Sequence, residues 1–167
     1  MAIGGQDGVS VDLTAPAGFV AERAMWWPGS SASWHEAHAA AGFSDPPRAT
    51  WRLPGGALHA NPGGDAFVET YVLIANVGTA AESVALTVYF TDRAPVAQTV
   101  AVPANSRVSV PVTELLAGAG ALPAGPADIA VMVAAASPGA QLYAEQATYG
   151  SSSAERWARG SASKGVP

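Results

Sequence analysis

Phe67-Val68-Glu69-Thr70-Tyr71-Val72-Leu73-Ile74-Ala75-Asn76 is a run of aromatic and β-branched residues, apolar on both faces from Tyr71 to Ile74. Such a run fits a strand covered on two sides, which places it at the centre of a sheet. Downstream, Asn76-Val77-Gly78-Thr79 reads as a turn into Val84–Thr91, where Val84, Leu86, Val88 and Phe90 share one face. Asp92-Arg93-Ala94-Pro95 turns again into Val96–Val102, with Val96, Val100 and Val102 in phase. Pro103-Ala104-Asn105-Ser106 leads into a strand from Arg107 with Val108, Val110 and Val112 at every second position, and Thr113–Ala117 has the composition of one helical turn. Ala127–Val133 reads as a buried strand, and Ser137-Pro138-Gly139 turns into a last one over Gln141–Tyr149.

Upstream the signals are shorter. Val9-Ser10-Val11-Asp12-Leu13 alternates with period two before Pro16, which predicts an edge strand. Phe19–Trp27 alternates as well. Trp34–Ala41 fits a short helix capped by Ser33 and an ordered loop equally. Thr50-Trp51-Arg52-Leu53 reads as a brief strand ended by Pro54-Gly55-Gly56. Strands punctuated by turns every 8–12 residues, without a long amphipathic helix, predict an antiparallel β-sandwich of about six to nine strands in two sheets. The expected organisation is an N-terminal arm with an edge strand at 1–18, a sandwich over 19–149 and a C-terminal tail at 150–167.

The composition agrees. Charged residues are 13% of the 167, about half the usual share, and Lys164 is the single lysine, so polar outer faces for surface helices are missing. A net charge of −5, with arginines scattered, argues against nucleic acid as a partner and against anionic membrane surfaces. No apolar run reaches the roughly 20 residues of a membrane helix, so membrane insertion is not expected. With no cysteine, disulfides and thiolate metal sites do not arise.

One pattern occurs twice. Ala21-Glu22-Arg23-Ala24 near the start and Ala144-Glu145-Gln146-Ala147 near the end share an Ala-Glu-x-Ala core, each followed by aromatics and a Gly-Ser-Ser tract. In each, alternation puts the carboxylate among apolar or aromatic neighbours, where an ionised group is costly without partners. Glu22 and Glu145 are therefore candidate structural anchors, and the repeated strand is a candidate seam between neighbouring modules.

Three motifs, Glu22-Arg23-Ala24-Met25-Trp26-Trp27, the Phe67–Asn76 strand and Val102-Pro103-Ala104-Asn105-Ser106-Arg107, occur here in the order found in a repeat module of large bacterial exported and surface proteins. The chain resembles that module over roughly residues 20 to 150. The resemblance implies an immunoglobulin-like sandwich with a scaffolding or adhesive role outside the cell. It departs from the module after the tryptophans, where His38-Ala39-Ala40 stands in place of His-Asn-Ser.

The residues give little support to catalysis. His35, Glu36 and His38 have one residue too few for the His-Glu-x-x-His zinc motif, and His59 is the remaining candidate third ligand, so no metal and no cofactor are expected. Gly29-Ser30-Ser31 and Gly150-Ser151-Ser152 lack the Gly-x-Ser-x-Gly elbow of serine hydrolases, and no catalytic residue is assigned. Trp26, Trp27 and Trp34 could stack on sugar rings or fill a core. The expected function is a non-enzymatic structural or adhesive module, extracellular or at the cell surface, in a tandem array or self-assembling through strand pairing at a sheet edge. Its partners would be like subunits or neighbouring repeats. The alternative is a carbohydrate-binding module with glycans as partners. On the seam hypothesis, residues 19–140 fold without residues 141–167.

Overall fold

The computed structural model describes residues 10–28, 34–59, 67–151 and 159–167; for residues 26–28, 34–38, 151 and 159 the description is of the backbone alone. The strands are β1 (Glu22–Pro28), β2 (Trp34–Ala41), β3 (Thr50–Leu58), β4 (Phe67–Asn76), β5 (Glu82–Phe90), β6 (Val96–Val102), β7 (Ser106–Pro111), β8 (Ala127–Ala135), β9 (Leu142–Ser151) and β10 (Arg159–Lys164), with one helix, α1 (Val112–Gly118), after β7.

Eight strands make two antiparallel sheets that pack as a sandwich, in the orders β10-β9-β4-β7 and β3-β8-β5-β6. The remaining two, β1 and β2, form a separate antiparallel ribbon. β4 is central, as its composition predicts, with β9 on one side and β7 on the other. Its even-numbered residues Thr70, Val72, Ile74 and Asn76 are buried between the sheets. Val72 and Ile74 meet Val84, Leu86 and Val88 of β5, Ile129, Val131 and Val133 of β8, and Trp51 and Leu53 of β3 in one apolar cluster. Period-two burial of this kind fixes register, because a one-residue slip would turn the apolar set outward.

Four regions differ from the sequence reading. The stretch 34–41 is a strand, held by a full ladder to β1 from Glu22↔Ala41 to Trp26↔Ala37. Residues 10–20 contain no strand, and every one of them is exposed. The segment Pro54-Gly55-Gly56 does not end β3 but forms a bulge within it, between Leu53 and Gly56. The bulge is held from the opposite sheet. Gln146 Nε2 donates to Pro54 O at 3.0 Å, and Thr70 Oγ1 both accepts from Ala57 N and donates to Ala57 O. A Cβ on Gly56 would lie 3.0 Å from both Ile129 Cγ1 and Thr70 Oγ1, so any side chain there would have to push one of them aside.

Finally, the C-terminal segment is not a tail. Residues 159–164 pair with β9, and Val166 exchanges two 2.8 Å backbone hydrogen bonds with Arg52 of β3. One side of the sandwich is thereby closed from sheet to sheet. On the other side β6 and β7 are the sheet edges, joined by the Pro103–Ser106 turn in which Asn105 takes a positive φ of 49°. The buried Asn76 ties that corner to the β4–β5 turn, donating from Nδ2 to Pro103 O at 3.1 Å and to Ala80 O at 2.8 Å, and accepting from Gly78 N on Oδ1 at 3.0 Å.

Candidate functional site

Two places on the sandwich present chemistry at the surface. The first is the outer face of the β10-β9-β4-β7 sheet. Period two puts Tyr71 of β4, Arg107 of β7, and Glu145 and Tyr149 of β9 on this face, opposite the core-facing Val72, Ala144 and Gln146. Arg23 of the ribbon reaches it and makes a bidentate pair with Glu145, Nη1 donating to Oε2 at 3.2 Å and Nη2 to Oε1. Two-pronged pairing of this kind fixes orientation as well as charge. Tyr71 and Tyr149 pack edge to face with ring centroids 5.9 Å apart.

Partial burial sets the electrostatics. Burial pushes the Arg107 guanidinium below its ordinary range, with Glu145 pulling the other way. It also pushes the Tyr149 hydroxyl up, opposed by Arg23 and Arg107. The cluster acts chemically as a clamp: a paired charge under a ribbon, flanked by aromatic rings. Next to it, Glu69 of β4 accepts hydrogen bonds from Thr113 N at 3.1 Å and from the Thr113 hydroxyl at the start of α1. Burial nonetheless holds the Glu69 carboxyl above the ordinary carboxylate range.

The second place is the open side of the sandwich. β6, Val96-Ala97-Gln98-Thr99-Val100-Ala101-Val102, is a seven-residue edge strand with no charge and no proline. Ala97, Thr99 and Ala101 are exposed on its outer face. Between β6, β7 and α1 runs a cleft of about 410 Å³, lined by Val100, Val110, Pro111 and Leu115 among others. Among the described strands β6 pairs with β5 alone, which leaves its outer N–H and C=O groups without a strand partner, and it carries neither the charge nor the proline that often protects an edge.

The residues singled out from sequence fall as follows. Glu145 is a half-buried anchor, whereas Glu22 is exposed, and the partner of Glu145 is the next residue in the motif, Arg23. The two Ala-Glu-x-Ala strands therefore have different environments, one in the ribbon and one inside a sheet. As β9 is paired on both sides within its own chain, by β4 and β10, it has no edge to offer as a seam. The side chains of Trp26, Trp27, Trp34, His35 and His38 lie outside the described residues. His59 is half-buried and its backbone bridges to Val68. Among the described residues no three His, Asp or Glu side chains come together as a metal site would require. No helix among them is long and apolar enough to cross a membrane.

No protein-family model matches the chain. No curated protein matches it either. Solved structures do. The chain is similar to the Anabaena sensory rhodopsin transducer, with a TM-score of 0.50 and 22% identity over 60% of this chain and 87% of that one. It is also similar to the structure described as Thermotoga maritima 1070, with a TM-score of 0.56 and 14% identity over 73% of this chain and 95% of that one. At such identities the likeness is one of fold.

Sequence reasoning missed the Arg23 contribution and the open edge. Val96–Val102 carries no Lys, Glu or Pro, so no residue of its own marked it as an edge strand.

Proposed function

We propose that the chain is a non-enzymatic structural module that joins to like modules through a sheet edge, in an extracellular or cell-surface assembly. The observation that supports this most is β6, an uncharged edge strand beside a cleft of mixed polar and apolar lining, on the side of the sandwich that no described strand closes. Strand addition at such an edge supplies main-chain hydrogen bonds for affinity and alternate side chains for specificity. The resemblance of three motifs to repeat modules of exported bacterial proteins supports the extracellular setting, and the clamp between Arg23 and Glu145 suits a scaffold that must keep its ribbon in place.

The test is a light-scattering mass measurement across a wide range of protein concentration, on the wild type and on Thr99→Lys. A charged side chain on the exposed face of β6 blunts the edge without touching the core. The wild type is expected to gain mass with concentration while Thr99→Lys stays monomeric. A wild type that remains monomeric at millimolar concentration overturns the proposal.

A further inference from the structure

The edge has a matching strand elsewhere in the same chain. Residues 10–14, Ser10-Val11-Asp12-Leu13-Thr14, alternate as a strand would, yet among the described residues they pair with no strand, and all five are exposed. Val11 is 67% and Leu13 55% exposed, two large apolar side chains set two positions apart. Their period of two would turn both into the same groove while Ser10, Asp12 and Thr14 faced water.

The cleft on the open side suits that pattern. It is bounded by the edges of both sheets, and Val100, Val110, Pro111 and Leu115 give it an apolar floor beside the polar Gln98, Thr99, Ser109 and Glu114. An extra strand laid on β6 would cover it, as Val166 covers the opposite side through its bonds to Arg52. The arm itself lies by that opposite side, where Asp12 adds its charge to that of Asp45 around the Tyr143 hydroxyl. Donor and acceptor thus lie on different sides of the molecule. Contacts of this type are heterologous and propagate head to tail instead of closing into a symmetric pair.

We propose that residues 10–14 of one copy add as a strand to β6 of a second copy, with Val11 and Leu13 seated in the cleft between β6 and β7. This rests on the edge-assembly reading above and names its partner. The product is an open chain of modules in which each gives an arm and receives one.

Two full-length variants test it: Val11→Asp with Leu13→Asp, which spoils the arm, and Ala97→Lys with Thr99→Lys, which spoils the edge. Each alone is expected to be folded by circular dichroism and monomeric by light scattering. The concentration for half-assembly should rise at least tenfold over the wild type. Mixed in equal amounts, the two should form a 1:1 dimer and nothing longer, because the mixture contains one good arm and one good edge per pair. A synthetic peptide spanning residues 9–15 should cap the wild-type edge and shorten its chains, which keeps the test available if the edge variant does not fold. If the arm variant assembles like the wild type while the edge variant does not, the arm is not the donor and edge assembly stands. A mixture of folded monomers that fails to pair, or a monomeric wild type with its own arm on its own edge, also overturns the proposal. If both variants assemble like the wild type, the arm proposal and the edge reading fall together.

Discussion

Arg23 and Glu145, 122 positions apart in the sequence, form a bidentate ion pair that fastens the β1–β2 ribbon to the outer face of the sheet containing β9. The side chains are 37% and 18% exposed, so water screens part of the attraction. A double-mutant cycle with Arg23→Ala and Glu145→Gln should give a coupling of about 0.5–1 kcal/mol in urea unfolding. The more telling effect is local: amide exchange across Glu22–Ala41 should accelerate in either variant while the β4 and β5 amides keep their protection. Unchanged exchange in the ribbon would show that something else holds it.

Glu69 makes stability depend on pH in the direction opposite to that of a salt-bridged acid. Its folded carboxyl protonates more readily than in the unfolded chain because burial outweighs the bonds from Thr113. The contribution is therefore fully present below the ordinary glutamate range and is lost as pH rises through the raised folded value. Urea midpoints should fall for the wild type over that window relative to Glu69→Gln, whose neutral side chain has no such slope. Parallel profiles for the two proteins would contradict the assignment.

Trp51 is fully buried, and its Nε1 donates to Leu142 O at 2.7 Å, bridging β3 to β9 across the sandwich. Phe43 meets it edge to face at 5.3 Å. Trp51→Ala should destabilise by about 3–5 kcal/mol, the range for deleting a large buried aromatic. The loss should be visible in the urea midpoint by circular dichroism. A loss below 1 kcal/mol would mean that the site collapses around the gap.

The C-terminal segment should be indispensable. A Cβ on Gly165 would meet Ala144 O at 3.0 Å, Leu53 Cδ2 at 3.1 Å and Trp51 Cβ at 3.2 Å. Gly165→Ala should therefore cost about 1–3 kcal/mol by forcing the seam apart. Removal of residues 141–167 takes away β9, the partner of β4 along its whole length, and should leave residues 19–140 unfolded, contrary to the expectation from the repeated motif. A folded 19–140 fragment, judged by dispersed amide resonances, would restore that expectation.

The strands legible in the sequence are those whose own side chains explain them. Val84, Leu86 and Val88 alternate because they face a core, and Ile129, Val131 and Val133 do the same. What was not legible depends on residues far away. Pro54-Gly55-Gly56 has the composition of a stop, and β3 continues through it only because Gln146 and Thr70 from the other sheet hold the bulge. The Arg-Gly-Ser-Ala-Ser-Lys of β10 has little intrinsic strand preference and becomes a strand by pairing with β9. The site shows the same division. Repetition drew attention to Glu22, whereas the ion pair runs through Arg23, and no local spacing can reveal a contact made across the fold.

The pairing of β4 with β9 sets a timetable for biosynthesis. β4 ends at Asn76 and its partner ends at Ser151. At about 5–20 residues per second, this central strand leaves the ribosome on the order of ten seconds before the strand that covers one of its sides. Until then a nascent chain exposes the Phe67–Asn76 strand, which makes that interval the period when a holding chaperone would matter most.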